Sequence, residues 1–142
     1  MSETKIMQAI ELSKHVLDEA VARVGDGPVV MVNLLTFRES PLYPNDFTDR
    51  KPSSRAAYYE GYAGAFAQIA ARLGITYELV HAGRHLLTLV PREPQSWDDI
   101  VIVRYQSLSD LRRITETEDY ARHALPHRLA GIAGWQFIAT RP

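Results

Sequence analysis

Apolar residues run along this chain in two rhythms, one helical and one extended. Over residues 5–24, Met7, Ile10, Leu17, Val21 and Val24 recur at roughly helical spacing among charges. That predicts an amphipathic helix closed by Gly25 and Gly27. Pro28 to Phe37 (PVVMVNLLTF) is an almost unbroken apolar run, rich in β-branched residues and too short for an ordinary helix. It reads as a strand buried on both faces. The stretch 39–54, ESPLYPNDFTDRKPSS, has three prolines and no periodicity. Loops of that length are uncommon, and many are lids or binding loops.

Helical spacing returns over 54–73, where Tyr58, Tyr62, Phe66, Ile69 and Leu73 recur at three- and four-residue steps before Gly74 at the cap position. Gly61 and Gly64 inside that helix cost about 1 kcal/mol each relative to alanine. They point either to close approach between helix and sheet or to room for a ligand. Two extended segments follow, 76–90 and 98–106, joined by the polar PREPQSW. Gly83 within the first suggests a bulge or close backbone approach, and Trp97, Asp98 and Asp99 are expected to anchor the hairpin end. Ser107 to Asp110 has the form of a capping box, opening a helix with Leu108, Leu111 and Ile114 inward. A second helical piece around 117–124 is expected to end before Pro126, and 134–140 closes the chain as a strand.

Beyond the first helix the order is β-α-β-β-α-β. It predicts an α+β, ferredoxin-like fold: a four-stranded antiparallel sheet with two helices on one face. Residues 1–27 form an N-terminal helical extension and 28–142 the domain. With helices on one face only, strands facing water on the other should alternate apolar and polar. They do not: Val29, Met31, Leu35 and Phe37 oppose Val30, Val32 and Leu34, and Val101 and Val103 oppose Ile100 and Ile102. An apolar face of that size exceeds what soluble monomers expose. A second copy is the simpler cover, which makes the chain a homodimer; the N-terminal helix folded across the face is the alternative.

Composition narrows the partners. The 142 residues are 46% hydrophobic and 23% charged, which fits one globular domain and excludes disorder. No apolar run reaches the ~18 residues of a membrane span, and the charged N-terminus lacks the apolar stretch of a signal peptide. The absence of cysteine excludes disulfides, thiolate metal sites and a cysteine nucleophile. A cytoplasmic location follows as an expectation. A net charge of −1 with no basic stripe argues against nucleic acid, and the aliphatic middle strands lack the stacking aromatics of RNA-recognition modules. There is no G-x-G-x-x-G after a strand, no P-loop and no G-x-S-x-G. The expected partners are a small molecule and a second copy, with no cofactor. No metal is expected either: His81 and His85 on a strand stand about 13 Å apart, and Pro126 should break the helix between His123 and His127.

The segments PVVMVNLLTFRE, the Tyr58–Tyr62 helix, VHAGR, WDDIVIVRYQSLSDL and HRLAGIAGWQFIAT together resemble the domain-of-unknown-function 1330 family, over roughly residues 28–140. That family belongs to the dimeric α/β-barrel superfamily. The resemblance implies a ferredoxin-like protomer whose sheet packs face to face on a second copy, forming a barrel-like dimer. Relatives there include cofactor-free monooxygenases, dehydratases, lactone isomerases and haem-handling proteins, so the fold selects no chemistry. Members usually carry a proline after the third-strand tyrosine, where this chain has Gln106; the departure concerns the turn.

The same resemblance raises two groups of residues. Asn33 matches the family's VN motif; it reads as a ligand contact in a sheet-lined cavity, or as an amide tying down neighbouring backbone. His127 and Arg128 match its HR-x-AG segment: His127 as general acid/base and Arg128 as anion anchor, or both as a surface pair capping helix carbonyls. Tyr105, His81 and Tyr62 complete the ligand-binding candidates, although for Tyr105 and Tyr62 packing is the ordinary role of a tyrosine at such positions. The resulting expectation is a small-molecule-binding dimer with its pocket between sheet and helices, or inside the barrel, and loop 39–54 as lid. It could be a cofactor-free isomerase, dehydratase or monooxygenase acting on a small acid or aromatic; the alternative is a non-catalytic binding or assembly protein.

Overall fold

Three serines start three helices in the same way. In the computed structural model, which describes residues 12–92 and 96–142, the side chains of Ser13, Ser53 and Ser107 accept from the backbone N–H three residues on. This satisfies a donor that the first helical turn leaves without a partner. The helix after Ser13 is α1 (Lys14–Val24); Met7 and Ile10 of the expected longer helix lie outside the described residues. Strand β1 (Val29–Phe37) follows. A long helix after Ser53 is built in three parts: α2 (Ser54–Ala56), a π-helical segment π1 (Ala57–Tyr62) and α3 (Ala63–Leu73). It stops at Gly74, whose φ of 69° is left-handed and suits glycine.

Strands β2 (Tyr77–Arg84) and β3 (Asp99–Tyr105) come next, then α4 (Leu108–Thr115), a second π-helical segment π2 (Tyr120–Ala124), α5 (Leu125–Gly131) and β4 (Ile132–Thr140). Antiparallel pairing gives the order β2-β3-β1-β4. This is the ferredoxin-like α+β fold. The sheet is open and does not close into a barrel.

Strand β1 alternates strictly at its start: Val29, Met31, Asn33 and Leu35 are buried, and Val30, Val32 and Leu34 are only half-buried. Val29 and Met31 join Phe66 and Ile69 of α3 and Leu108, Leu111 and Ile114 of α4 in one core cluster. Helix α1 packs on the helix layer: its Leu17 is buried, and Asp18 pairs with Arg112 of α4. The described part of α1 therefore does not cover the outer sheet face.

Three sequence expectations change. Pro126 does not end a helix: it stands in the first turn of α5, where its missing N–H costs nothing, after the π2 segment. His127 and Arg128 thus lie within a helix, and the last strand begins at Ile132. Strand β2 stops at Arg84, opposite the first residue of β3, rather than running to 90. Beyond it Leu86 and Leu89 are 93% and 83% exposed. The glycine expectation also shifts. A Cβ on Gly61 would overlap His127 on α5, 2.8 Å from Cε1 and closer to Cγ and Nδ1, so the close approach is to a helix and not to the sheet. Gly64 faces open space.

Candidate functional site

His127 and Arg128 are both 2% exposed, yet they meet different neighbours, His127 the loop 39–54 side and Arg128 the Trp135 and Tyr62 rings. Successive helical residues project about 100° apart, so neighbours in sequence need not share a site. Two cavities result, with π1 as part of the wall between them: Tyr58, Tyr59 and Tyr62 face one, while Glu60 and Gly61 face the other. A π-helical turn shifts the phase of a helix and often marks a functional site.

The first cavity, about 220 Å3, lies between the inner sheet face and the helices. Its walls are mainly rings, among them Tyr58, Tyr62, Phe66, Tyr105, Trp135 and Phe137. Asn33 sits in its floor, donating from Nδ2 to Val101 O (3.1 Å) and accepting from Trp135 Nε1 (2.9 Å). The amide thus ties Trp135 to strand β3 while lining the cavity. Tyr62 and Tyr120 share a hydroxyl–hydroxyl hydrogen bond of 3.0 Å. Arg128 lies over Trp135, 4.5 Å from its ring centre, and 6.0 Å from that of Tyr62.

Burial pushes the Tyr58, Tyr62 and Tyr105 phenols well above their usual range, and Arg128 pulls partly against it at Tyr58 and Tyr62. All three stay protonated at neutral pH and act as hydrogen-bond donors. Tyr58 and Tyr105 are 7% and 6% exposed, and neither hydroxyl has a hydrogen-bond partner among the described residues. Both line the cavity.

The second cavity, about 630 Å3, lies between loop 39–54 and the π1–α3 and π2–α5 helices. His127 is its buried titratable group. The Tyr43 hydroxyl is 2.7 Å from Nδ1 and accepts from Lys51 N–H at 3.3 Å. With Lys51 N–H donating to it, the Tyr43 hydroxyl has a proton that it can give to Nδ1, an arrangement that puts the neutral imidazole's proton on Nε2. Nε2 faces Asp49 Oδ2 at 3.6 Å, beyond a direct hydrogen bond. Tyr43 and Phe47, stacked on each other, meet the imidazole edge-on. Burial lowers the His127 pKa below the usual histidine value, with Asp49 opposing that shift and Lys51 adding to it.

The residues expected to share one pocket are therefore divided. Asn33, Tyr62 and Tyr105 line the ring-walled cavity, and Arg128 stacks on two of its rings. His127 belongs to the polar cavity, so the expected His127–Arg128 pair does not form. His81 is also placed elsewhere: its register opposite Ile102 puts it on the outer sheet face, where it is exposed. Among the described residues no three His, Asp or Glu side chains gather at metal-binding distance, and no helix is long and apolar enough to cross a membrane.

Sequence reasoning missed the contributions of Trp135, Tyr43, Asp49 and Asp99. Asp99, expected to anchor the hairpin, is instead a buried carboxylate that accepts from Arg55 (2.7 Å) and from the Tyr59 hydroxyl. Asp98 does anchor the hairpin, accepting from Phe37 N–H at 2.8 Å. For Trp135 a signal existed: it alternates with Phe137 along a strand whose register places Phe137 opposite Asn33.

No family model matches the chain, so the resemblance to the domain-of-unknown-function 1330 family has no such support, and no curated protein matches it. Among solved structures it is similar to protein RPA0582, of unknown function, from Rhodopseudomonas palustris. The two are 26% identical over 94% of this chain and 95% of that one, with a TM-score of 0.74. The methylated form of the same protein gives 24% identity, coverage of 94% and 93%, and a TM-score of 0.75. A dimeric ferredoxin-like protein of unknown function from Bacteroides fragilis aligns with 10% identity over 82% of this chain and 98% of that one, at a TM-score of 0.49. The likeness to RPA0582 is one of fold.

Proposed function

We propose that the chain is a small-molecule-binding protein whose ligand occupies the ring-walled cavity between sheet and helices. The observation that carries this reading is a pair of tyrosines, Tyr58 and Tyr105, that line that cavity and whose hydroxyls make no hydrogen bond among the described residues. An occupant that displaces water from these hydroxyls leaves them unsatisfied unless it accepts from them, so one bearing an acceptor is favoured. A cavity of about 150 Å3 holds benzene; about 220 Å3 holds a substituted ring. The ligand is therefore a single-ring compound bearing an oxygen acceptor.

Titration with acetophenone, benzamide and benzoate, followed by protein NMR, tests the reading. Saturable shifts at Trp135 and Ala63, lost in Ala63→Leu, are expected. No shift at millimolar ligand, or shifts that survive cavity filling in a folded variant, would refute it.

The same reading includes a homodimer. Val30, Val32, Leu34, Ile100, Ile102 and Ile138 share the outer sheet face, and two copies packed face to face would cover it.

A second reading, proton transfer at His127, is favoured by the Tyr43–His127–Asp49 arrangement in the polar cavity. An imidazole with one nitrogen held by Tyr43 and the other beside a carboxylate suits general acid/base work. Solvent-deuterium exchange at C3 of small 2-oxo acids such as pyruvate, the carbon next to the ketone, would report it. Exchange faster with the protein, and abolished in His127→Asn, supports catalysis; exchange at the uncatalysed rate removes this reading.

A further inference from the structure

We propose that the ring-walled cavity selects an anionic ring, a small aromatic carboxylate, with its carboxylate at the Tyr58 hydroxyl on the side of Arg128. The inference rests on the binding reading above and adds the charge and orientation of the ligand.

A cavity walled by tyrosines, phenylalanines and a tryptophan can serve two opposite purposes. Ring faces attract cations, and such cages recognise quaternary ammonium groups. Phenol hydroxyls, as donors, attract anions and carbonyl oxygens. The position of Arg128 decides between them. Its guanidinium already covers the face of Trp135 at 4.5 Å and stands 6.0 Å from the Tyr62 ring. A ligand cation would compete for those faces and meet a like charge a few ångströms away, in surroundings that screen it poorly.

An anion gains from the same arrangement. Tyr58 lines the cavity, and its hydroxyl makes no hydrogen bond among the described residues. The Arg128 charge reaches it, pulling its phenol against the effect of burial, and the buried Asp99 carboxylate acts on it in the opposite sense, more weakly. An oxyanion accepting from Tyr58 therefore sits where the pull of Arg128 exceeds the push of Asp99. Among the described residues no acidic side chain lines the cavity. The apolar end of the ligand falls toward Phe66, Val103 and Phe137, which also line the cavity.

Three ring compounds of similar shape, benzoate, benzamide and phenyltrimethylammonium, separate the possibilities when titrated calorimetrically into the full chain at pH 7. Benzoate should bind at least tenfold more tightly than benzamide, and phenyltrimethylammonium should not bind. Tyr58→Phe should weaken benzoate about tenfold and benzamide less. Arg128→Lys, which keeps the charge, should retain the order, and Arg128→Gln should bring benzoate down to benzamide. Equal affinity of benzoate and benzamide overturns the charge inference and leaves the binding reading standing. Preference for phenyltrimethylammonium overturns it in favour of a cation cage. Binding by none of the three refutes both readings.

Discussion

Gly61 on π1 lies against the imidazole of His127 on α5, so closely that a methyl group on the glycine would overlap three ring atoms. The contact explains why a helix that gains from alanine carries glycine at this point. Gly61→Ala should recover up to about 1 kcal/mol of helix propensity and lose about 1–3 kcal/mol to overpacking against a buried ring. A net loss of roughly 1–2 kcal/mol is expected. Gly64→Ala is the control: nothing lies within 4 Å of the added methyl, so it should stabilise by up to about 1 kcal/mol. Urea unfolding midpoints of the two variants should move in opposite directions; a stabilised Gly61→Ala would show that His127 is not tightly held.

The polar cavity gives a pH dependence whose sign follows from burial. His127 is held below its unfolded pKa, mainly by desolvation. The folded state therefore binds fewer protons at this site than the unfolded chain does. That contribution to stability is complete above the unfolded value of about 6.5 and is lost as pH falls through it toward the lower folded pKa. Denaturant unfolding between pH 7.5 and 5 should show the wild type losing stability over that window. His127→Gln should lack this component, whatever its stability at pH 7.5. Parallel pH profiles for the two proteins would contradict the burial of a neutral imidazole.

How much of this was legible beforehand depends on the distance over which each feature is determined. The strand and helix order was readable because each element's pattern is local: β-branched runs at 29–37 and 100–103, and ring and aliphatic steps from Tyr58 to Leu73. The end of β2 was not, because the exposed leucines after Arg84 look like strand until the partner strand is known to start at Asp99. Pro126 was misread because a proline in the first helical turn is indistinguishable in sequence from one that stops a helix. The split of His127 from Arg128 follows from that misreading, since residues after a helix could point together, whereas residues within one diverge. Asn33 was readable as a buried amide, but its link to Trp135, 102 residues away, needs the β1–β4 register.

That link yields its own prediction. Asn33 accepts from Trp135 Nε1 and donates to Val101 O. In Asn33→Leu the Trp135 N–H loses its acceptor, at about 1–3 kcal/mol and less where water reaches it, whereas Val101 O loses one bond and keeps its place in the sheet ladder. A loss of roughly 1–3 kcal/mol in unfolding free energy is expected. Asn33→Asp, which keeps the acceptor for Trp135 but not the donor to Val101, should lose less only at a pH where it is protonated. A leucine variant as stable as wild type would mean the amide serves neither partner.

The outer sheet face is the last test, because the fold leaves it without a cover among the described residues. Helix α1 packs on α4, so the described part of the N-terminal extension does not lie across the sheet. Val32, Ile102 and Ile138 stand side by side in register across three strands, so a single charge at the centre faces its symmetry mate or another apolar side chain in any face-to-face dimer. Ile102→Glu should therefore abolish association: burying the carboxylate costs several kcal/mol, whereas exposing it in the monomer costs little. Sedimentation at micromolar concentration should give twice the chain mass for wild type and the chain mass for the variant. Circular dichroism should show the variant still folded, since Ile102 contributes to the outer face and not to the inner core. A wild-type monomer at that concentration would leave the apolar face exposed and overturn the dimer. A variant that still dimerises would move the interface elsewhere, with the exposed leucines at 86, 87 and 89 as the next surface to charge.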